Sequence, residues 1–214
     1  MDEPFTRRPT PVLALNGMQL CELTLDSPAD NLALDEALLD HCEENKTDEV
    51  LRFWQPTGYF VVLGYANAVS TEVHLPFCRH AGIPVLRRCS GGGTVLQGPG
   101  CLNYSLVLRA TESGPLSGIT GTNCFIMKRH RDALSPLLGQ DVRISGHTDL
   151  AVSDRKFSGN AQRRKRRYIL FHGSFLLDLD LAMVEKTLQM PARQPDYRAQ
   201  RSHGDFLTNL RLPA

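Results

Sequence analysis

The sequence predicts an α+β fold, because predicted hairpins are mixed with only a few helices along the chain. A parallel, doubly wound sheet would instead need strands and helices in regular alternation. The glycine-rich stretch at residues 91–93 also lacks the spacing G-x-G-x-x-G of a dinucleotide site and G-x-x-x-x-G-K-[ST] of a P-loop. We expect one domain, residues 1–214, with a core at about 12–190, an irregular C-terminal tail at 191–214 and no accessory C-terminal domain.

The composition is that of an ordinary globular protein. Hydrophobic residues make up 42% and charged residues 22% of the chain, and the formal net charge is +1. A globally basic nucleic-acid-binding protein is therefore not expected. No apolar stretch approaches the roughly 20 residues of a membrane helix, and the first residues lack the apolar core of a signal peptide. The six cysteines form no C-x-x-C pair, so we expect reduced thiols, no zinc site and a cytoplasmic protein.

The first half of the chain is predicted to hold one helix and several strands. Helical spacing of apolar residues over 27–45 follows the capping candidates Ser27 and Asp30. Residues 49–65 are rich in β-branched and aromatic side chains on either side of a Pro-Thr-Gly turn, which predicts a hairpin. A strand is expected at 84–88. A second strand, at 101–109, alternates with a period of two and leaves the glycine-rich stretch.

The second half of the chain is predicted to continue with a helix, two strands and a short helix. The first helix covers 122–139, with Gly139 closing it and Pro136 disturbing its last turn. The strands are expected within 149–159 and 167–179, and the short helix within 180–189. The polar, proline-marked residues after 190 show no strong pattern.

Three consecutive glycines, Gly91, Gly92 and Gly93, closely follow Arg87 and Arg88. Residues without Cβ adopt unusual dihedral angles and let backbone N–H groups converge on an anion. Neighbouring strand side chains face opposite ways, so only one of the two arginines should reach a ligand of this loop. A tight turn with surface arginines explains the glycines alone equally well.

A second segment, 149–164, favours the interpretation as a ligand site. A turn at 153–155 would place Lys156 at the start of the next strand, with Ser158 on the same face and Phe157 opposite. An ammonium held on a rigid strand beside a glycine-rich anion loop suits the stabilisation of a phosphate or an acyl-phosphate. A lone strand lysine is usually an exposed charge, so the combination with the loop carries the hypothesis.

These motifs resemble those of the lipoate-protein ligases of the biotin and lipoate protein ligase superfamily. The matching stretches lie between Asn31 and Leu181 and are NLALDEALL, RRCSGGGTV, LNYSL, DLAVSDRKFSGNAQRR and HGSFLLDLDL, with a weaker match in FLTNL at 206–210. The resemblance implies a mixed, largely antiparallel sheet with flanking helices, as in biotin protein ligases and the catalytic cores of class II tRNA synthetases. This fold agrees with the hairpin-rich order of elements.

The resemblance implies an ATP-dependent ligase. Lipoate would attack the α-phosphate of ATP to give lipoyl-AMP, and a lysine amine of a lipoyl domain would then displace AMP. ATP and Mg²⁺ are the implied cofactors, and an acceptor lipoyl domain is the implied partner. Ligases of this type carry or borrow a small accessory domain, so this protein either needs a separate accessory-domain protein or works with a simpler site. Phosphates would carry the Mg²⁺ with few dedicated protein ligands, so no metal-binding residue is predicted. Neither nucleic acid nor a membrane is an expected partner.

The resemblance also assigns site residues. Lys156 matches the essential lysine of the family and is the expected catalytic residue. The expected substrate- and adenylate-binding residues are Arg88, Ser90, Gly91, Gly92, Gly93, Thr94, Ser158, Gly159, Arg163, His172 and Gly173. From its apolar strand, His172 is interpreted as a structural or substrate-shaping residue rather than a general base.

The sequence departs from the family pattern beyond the glycines. Gln97-Gly98 and Gly100-Cys101 stand where the family has His-Asp and Gly-Asn, so the far side of the loop should contact nucleotide differently. Related octanoyltransferases form a thioester on a cysteine shortly before the lysine motif, but residues 143–152 contain no cysteine. An octanoyl or lipoyl transferase of the same fold and a non-catalytic lipoate- or adenylate-binding module stay open as alternatives.

Three further features allow more than one interpretation. The basic run at 163–167 is either a solvated hairpin turn or a contact for pyrophosphate or an acidic lipoyl domain. Cys89 and Cys101 flank the glycines and are expected to be small buried thiols rather than reactive ones. Trp54 is the only tryptophan, and we expect it in the core.

Overall fold

The computed structural model describes residues 13–15, 17–191 and 193–210, which form two sheets with flanking helices. The start of the predicted core at residue 12 and the last residues of the predicted tail, 211–214, lie outside the described residues. No helix among the described residues is long and apolar enough to cross a lipid bilayer.

The larger sheet is mixed and largely antiparallel, as expected. Its eight strands are, in spatial order, β1 (Leu13–Leu15), β2 (Met18–Glu22), β3 (Glu49–Trp54), β7 (Cys101–Arg109), β11 (Tyr168–Leu176), β10 (Arg155–Arg164), β9 (Asp149–Val152) and β8 (Arg143–Ser145). β2 pairs with β3 in parallel, and the other neighbours in this sheet pair antiparallel. The predicted strands at 101–109 and within 149–159 and 167–179 are therefore confirmed.

The smaller sheet contains three strands, in the order β5 (Val85–Arg87), β4 (Phe60–Leu63) and β6 (Val95–Gln97). The predicted hairpin over 49–65 is wrong, because its first strand, β3, belongs to the larger sheet and its second, β4, to the smaller one. All four residues of β4 are buried. A strand that is apolar on both faces needs cover on both sides. Two separate core clusters provide it, one with Val61 and Leu63 and the other with Phe60 and Val62.

The helices are α1 (Pro28–Asn45), α2 (Val69–Glu72), α3 (Leu75–His80), α4 (Ile119–Leu138), α5 (Leu181–Thr187) and α6 (His203–Phe206). α1 begins as predicted after Ser27, whose side chain accepts a hydrogen bond from the backbone N–H of Asp30. α4 begins slightly before the predicted residue 122 and tolerates Pro136 in its last turn, and Gly139 ends it with φ 60°.

The strand that carries the predicted catalytic lysine is fixed from both sides. β9 turns into β10 through Ser153 and Asp154, which have φ values of 48° and 60°. A bulge between Lys156 and Ser158 interrupts the pairing with β9, and Phe157 between them is fully buried. Leu207 forms a parallel bridge to Lys156. The C-terminal segment, residues 189–207, thus returns to the beginning of β10.

Candidate active site

A cavity of about 680 Å³ is bounded by residues from both sheets, from α1 and from the C-terminal segment. We call it the central cavity. Most of the predicted site residues line it: Arg88, Gly92, Gly93, Thr94, Lys156, Ser158, Gly159, His172 and Gly173. Ser90, Gly91 and Arg163 lie outside its lining, so they contribute through their contacts with other residues.

Arg88 organises the glycine loop by binding its carbonyl groups. Its Nη2 donates to the carbonyl oxygens of Gly91 and Gly93 at 2.6 and 2.8 Å, and its Nε donates to Ser90 Oγ at 3.0 Å. Burial lowers the pKa of Arg88 to about 10. The guanidinium therefore acts as an internal brace that fixes the loop backbone next to the cavity.

Arg87 serves a different loop, as the alternation of strand side chains predicted. Its Nη1 donates to the backbone carbonyls of Gly64, Tyr65 and Asn67 at 2.8 to 2.9 Å. A Cβ on Gly64 would overlap the carbonyl oxygen of Gly92. The two arginines thus hold two loops whose backbones are in direct contact.

Of the three consecutive glycines, Gly92 is the one that the backbone requires. It has φ +89°, and a Cβ there would lie 2.9 Å from Arg88 Nη2. A Cβ on Gly91 or Gly93 would meet no atom within 4 Å. These two glycines therefore leave open space above the loop, where a ligand could approach the backbone.

Lys156 projects into the central cavity as the end of a short polar chain. Its Nζ lies 2.8 Å from Asp149 Oδ1, and the Tyr197 hydroxyl donates to Asp149 Oδ2 at 2.7 Å. A Cβ on Gly159 would lie 2.7 Å from Lys156 Nζ, so the ammonium rests over the backbone of β10. Burial, followed by the Asp149 carboxylate, raises the pKa of Tyr197, which keeps this hydroxyl a donor.

Ser158 and Gly173 are linked to the cavity through Asn160. The Asn160 amide donates to the carbonyl of Thr148 at 2.7 Å and to Ser158 Oγ at 3.3 Å. Tyr104, whose pKa is raised by burial, donates its hydroxyl to Asn160 Oδ1 at 2.6 Å. A Cβ on Gly173 would overlap the Asn160 amide, so glycine at this position makes room for the network.

His172 connects the glycine loop to α1. Its Nε2 lies 2.6 Å from Ser90 Oγ, and its Nδ1 lies 3.9 Å from Asp35 Oδ2. Asp35 in turn forms an ion pair of 2.6 Å with the fully buried Arg52. Ser90 is 1% exposed, so its hydroxyl orients His172 and Arg88 and is not accessible as a nucleophile. This geometry supports the interpretation of His172 as a residue that shapes the cavity.

The departure from the family at Gln97 forms a closed ring of hydrogen bonds in the cavity wall. Gln97 Nε2 donates to Ser174 Oγ at 3.0 Å, and Asn103 Nδ2 donates to Gln97 Oε1 at 2.8 Å. The Ser174 hydroxyl completes the ring by donating to Asn103 Oδ1. Since these groups satisfy one another, this wall is polar but holds no net charge.

The thiols lie away from this chemistry. Burial raises the pKa of Cys89 and of Cys101 to about 11 in each case, so both remain protonated near neutral pH. None of the described residues that line the central cavity is a cysteine. Trp54 is buried against Phe60, as expected for a core residue, and also borders the cavity.

Most of the basic run is bound to other parts of the fold. Lys165 pairs with Asp40 at 2.5 Å, and Arg167 donates to the carbonyl of Glu43. Arg164 donates to a backbone carbonyl and a threonine hydroxyl at the start of α4. Arg163 is exposed and stacks on the exposed ring of Tyr65 at 5.8 Å. Arg163 and Arg166 are thus the exposed members of the run.

Sequence reasoning missed four residues of the cavity region. Asp35 lies in the predicted first helix, and Asp149 opens the quoted lysine motif, so both were within recognised segments. Tyr197 and Arg198 lie in the tail, which carried no periodic signal. Their contribution depends on how the tail folds back onto β10, and no local pattern reports such a long-range contact.

Comparisons with known proteins agree on one family. The family model for the lipoyl protein ligase A/B catalytic domain matches residues 27–212. A relative from Aeropyrum pernix, provisionally named lipoate-protein ligase A, is 31% identical over 168 residues, which are 78% of this chain and 60% of that protein. The octanoyltransferase LipM of Geobacillus kaustophilus is 32% identical over 200 residues, with 81% of this chain and 70% of LipM covered. The chain thus spans less than two thirds of the first of these relatives.

Solved structures give the same answer. A bi-partite lipoate protein ligase of Thermoplasma acidophilum, described together with its E2 lipoyl domain, superposes with a TM-score of 0.74 at 26% identity over 89% of this chain and 73% of that one. A lipoate-protein ligase A bound with ATP superposes with a TM-score of 0.76 at 25% identity over 89% of this chain and 75% of that one. The expected fold is therefore confirmed, and the chain belongs to the lipoyl protein ligase A/B catalytic domain family.

Proposed function

We propose that the protein is an ATP-dependent lipoate-protein ligase that forms lipoyl-AMP and transfers the lipoyl group to a lysine of a lipoyl domain. The observation that carries this proposal is the placement of Lys156, whose ammonium enters a cavity that has no cysteine among its described lining residues. An acyl-adenylate route needs a fixed positive charge near the α-phosphate. A thioester route needs a thiolate instead.

The residues of the chain suit both half-reactions. In the first, the lipoate carboxylate attacks the α-phosphorus, and the bond to the pyrophosphate oxygen breaks. In the second, the acceptor amine attacks the acyl carbon, loses a proton and displaces AMP. Negative charge builds on oxygen near the α-phosphate in both transition states, where the Lys156 ammonium would stabilise it.

Asp149 sets the starting state of this lysine. In the free protein the ammonium is paired with the Asp149 carboxylate at 2.8 Å. Substrate binding would exchange this carboxylate for α-phosphate oxygens, while the Tyr197 hydroxyl continues to hold Asp149 in place at 2.7 Å. The lysine is thus kept extended towards the cavity before the nucleotide arrives.

Magnesium would be bound mainly through the phosphates of ATP. Among the described residues there is no group of three or more His, Cys, Asp or Glu side chains that could hold a metal ion. Asp149 is the carboxylate in contact with Lys156, and one carboxylate plus phosphates is a common Mg²⁺ ligand set. The ion would neutralise phosphate charge when bound.

The proposed acceptor is a lipoyl domain, and a separate accessory-domain protein is the second proposed partner. The similarity to one chain of the bi-partite Thermoplasma acidophilum ligase supports both. We place the reaction in the cytosol because all six cysteines are free, as is usual in reducing compartments.

A second candidate is an octanoyltransferase, which the 32% identity to LipM favours. One experiment separates the candidates: the protein is incubated with ATP and either lipoate or octanoate, and pyrophosphate release is measured. The ligase proposal expects that pyrophosphate is released only when lipoate or octanoate is present. It also expects that AMP is released when a lipoyl domain is then added. Transfer of the octanoyl group from octanoyl-acyl carrier protein to a lipoyl domain in the absence of ATP would establish the transferase instead. Tight binding of lipoyl-AMP with neither turnover would indicate a non-catalytic binding module.

A further inference from the structure

Arg198 is a buried cation that forms no direct ion pair with a described carboxylate. The residue is 5% exposed and lines the central cavity. None of the ion pairs between described residues includes it. Removing a charge from water without a partner is costly, so such a residue calls for a counter-ion.

The contacts of Arg198 are all to neutral groups. Its Nε donates to the carbonyl of Arg201 at 3.0 Å, and its Nη2 lies 3.3 Å from both Met190 Sδ and His203 Nδ1. The guanidinium also stacks over the ring of Phe206 at 4.7 Å. These contacts hold the planar group in one orientation, and Nη1 has no acceptor among the described residues.

His203 cannot balance this charge. Its Nε2 faces the carbonyl of Gln189 at 3.2 Å and must donate there, so Nδ1 accepts from Arg198 and the ring is neutral. Burial, with Arg198 as the next cause, lowers the pKa of His203. Burial likewise lowers the pKa of Arg198 itself. The Glu185 carboxylate acts on Arg198 from a distance and partly offsets this lowering of its pKa, but it accepts the backbone N–H of Gly204 at 2.8 Å and forms no direct ion pair with Arg198.

The fold contains a second buried arginine that shows what a structural role requires. Arg52 is 0% exposed, and it pairs with Asp35 and donates to two backbone carbonyls and the Asn31 side chain. All its nitrogens and its charge are thus satisfied within the protein. Arg198 differs on both counts, since it has no direct ion-pair partner and its Nη1 has no acceptor among the described residues, and it also borders a cavity.

The position of Arg198 relates it to the catalytic lysine. Its neighbour Tyr197 donates to Asp149, which pairs with Lys156. Phe206, on which Arg198 stacks, precedes Leu207, which bridges to Lys156. Arg198 therefore lies on the wall of the cavity that the C-terminal segment builds beside Lys156.

We propose that Arg198 forms an anion subsite of the central cavity that takes the β- and γ-phosphates of ATP and holds them as they leave as pyrophosphate. This rests on the proposed ligase function, in which Lys156 faces the α-phosphate. Of the other described arginines that line the cavity, Arg88 is committed to the glycine loop and Arg193 is exposed, so Arg198 is the buried one whose N–H groups remain free. A planar guanidinium with free N–H groups suits bidentate binding of phosphate oxygens.

The test measures binding of inorganic pyrophosphate by titration calorimetry at fixed ionic strength, without lipoate or ATP turnover. Arg198→Gln should weaken binding about 10- to 100-fold, as loss of a charge-assisted contact predicts. Arg198→Lys keeps the charge and should bind more tightly than Arg198→Gln. Arg129→Gln is the matched control, because Arg129 also stacks on a phenylalanine ring, that of Phe125 at 3.5 Å, but is exposed on α4 and does not line the cavity. It should bind as the parent does.

Equal pyrophosphate affinity for the parent and Arg198→Gln would overturn the subsite, as would an equal loss in Arg129→Gln. Amide hydrogen exchange of the parent protein provides a second test if Arg198→Gln does not fold. Added pyrophosphate should slow the exchange of the backbone amides in residues 196–203. Unchanged exchange would contradict the proposal. Lipoyl-AMP formation by the parent is scored separately. A parent that binds pyrophosphate through Arg198 but forms no adenylate would refute the ligase function and retain the subsite.

Discussion

Replacement of Lys156 by alanine should slow adenylate formation by roughly 10²- to 10³-fold while leaving the fold intact. The side chain is 22% exposed and its ion-pair partner is Asp149. Phe157, which packs in the core beside it, is unchanged by the substitution. A pair that is partly open to solvent contributes about 1 kcal/mol or less to stability. Asp149 retains the Tyr197 hydroxyl as a donor, so the melting temperature should fall by only a few degrees.

The loss of activity should be far larger than the loss of stability. Removing one preorganised donor aimed at transition-state charge costs about 3 to 4 kcal/mol, which corresponds to roughly 10²- to 10³-fold in rate. The assay is single-turnover formation of lipoyl-AMP from lipoate and ATP, with pyrophosphate release measured in parallel. Arg155→Ala is the matched control, because Arg155 is the exposed neighbour on β10 and donates to the carbonyl of Gly204.

Adenylate formation by Lys156→Ala within tenfold of the parent would refute the assigned role. A comparable loss in Arg155→Ala would also count against it, since the effect would then come from general charge or from disturbance of β10. Circular dichroism and thermal melts on both variants exclude unfolding as the cause.

Four further changes probe the loop, the core, the surface and the pH response. Gly92→Val should block lipoyl-AMP binding, because the φ of +89° is strained for a β-branched residue; unchanged affinity in a folded variant would show that the loop is only a turn. Arg52→Met leaves the buried Asp35 carboxylate without its ion-pair partner. It should lower the free energy of unfolding, measured by urea titration, by about 3 to 5 kcal/mol. The substitutions Arg163→Ser and Arg166→Ser, made singly and together, should slow lipoyl transfer from preformed lipoyl-AMP to the lipoyl domain and should flatten the salt dependence of this rate. Unchanged rates and salt dependence would show that the basic run at 163–167 is only a solvated turn. Burial lowers the pKa of His130 from 6.5 to about 4. As the pH falls from 6.5 towards 4, His130 is therefore protonated in the unfolded chain but not in the folded one, which favours unfolding. The melting temperature of His130→Leu should accordingly fall less than that of the parent over this pH range.

Local chemistry explains why much of the larger sheet could be predicted. β7 carries a leucine or tyrosine at every second position from Leu102 to Leu108, and the turn at Ser153 and Asp154 separates two clear strand patterns. The period of two was also enough to place Lys156 on the face opposite Phe157, and Phe157 is indeed fully buried. Elements with a strong internal period are thus specified by their own sequence.

Pairing partners and the tail could not be predicted, because both depend on distant residues. Two apolar strands joined by a short turn usually pair with each other as a hairpin. Here, however, β3 pairs with β2 and β7, and β4 pairs with β5 and β6. Tyr197 is likewise unremarkable in sequence and gains its place only through Asp149. Contacts between residues so far apart leave no periodic signal in either segment.

The distribution of charge around the cavity makes the C-terminal segment central to the proposed chemistry. The nitrogens of Arg88 are occupied by carbonyl and hydroxyl oxygens of the protein, so this guanidinium shapes the glycine loop more than it offers charge to a substrate. Among the described cations of the lining that are at least partly buried, Lys156 and Arg198 are then left for a substrate, while Arg193 is exposed. Lys156 is positioned by Asp149, which Tyr197 holds, and by the N–H of Thr208, which donates to the Lys156 carbonyl. Arg198 lies within the segment itself. Phosphate binding and lysine placement would therefore depend on one stretch of chain folding back onto β10, and a change that loosens this stretch should impair adenylate formation before it alters the glycine loop.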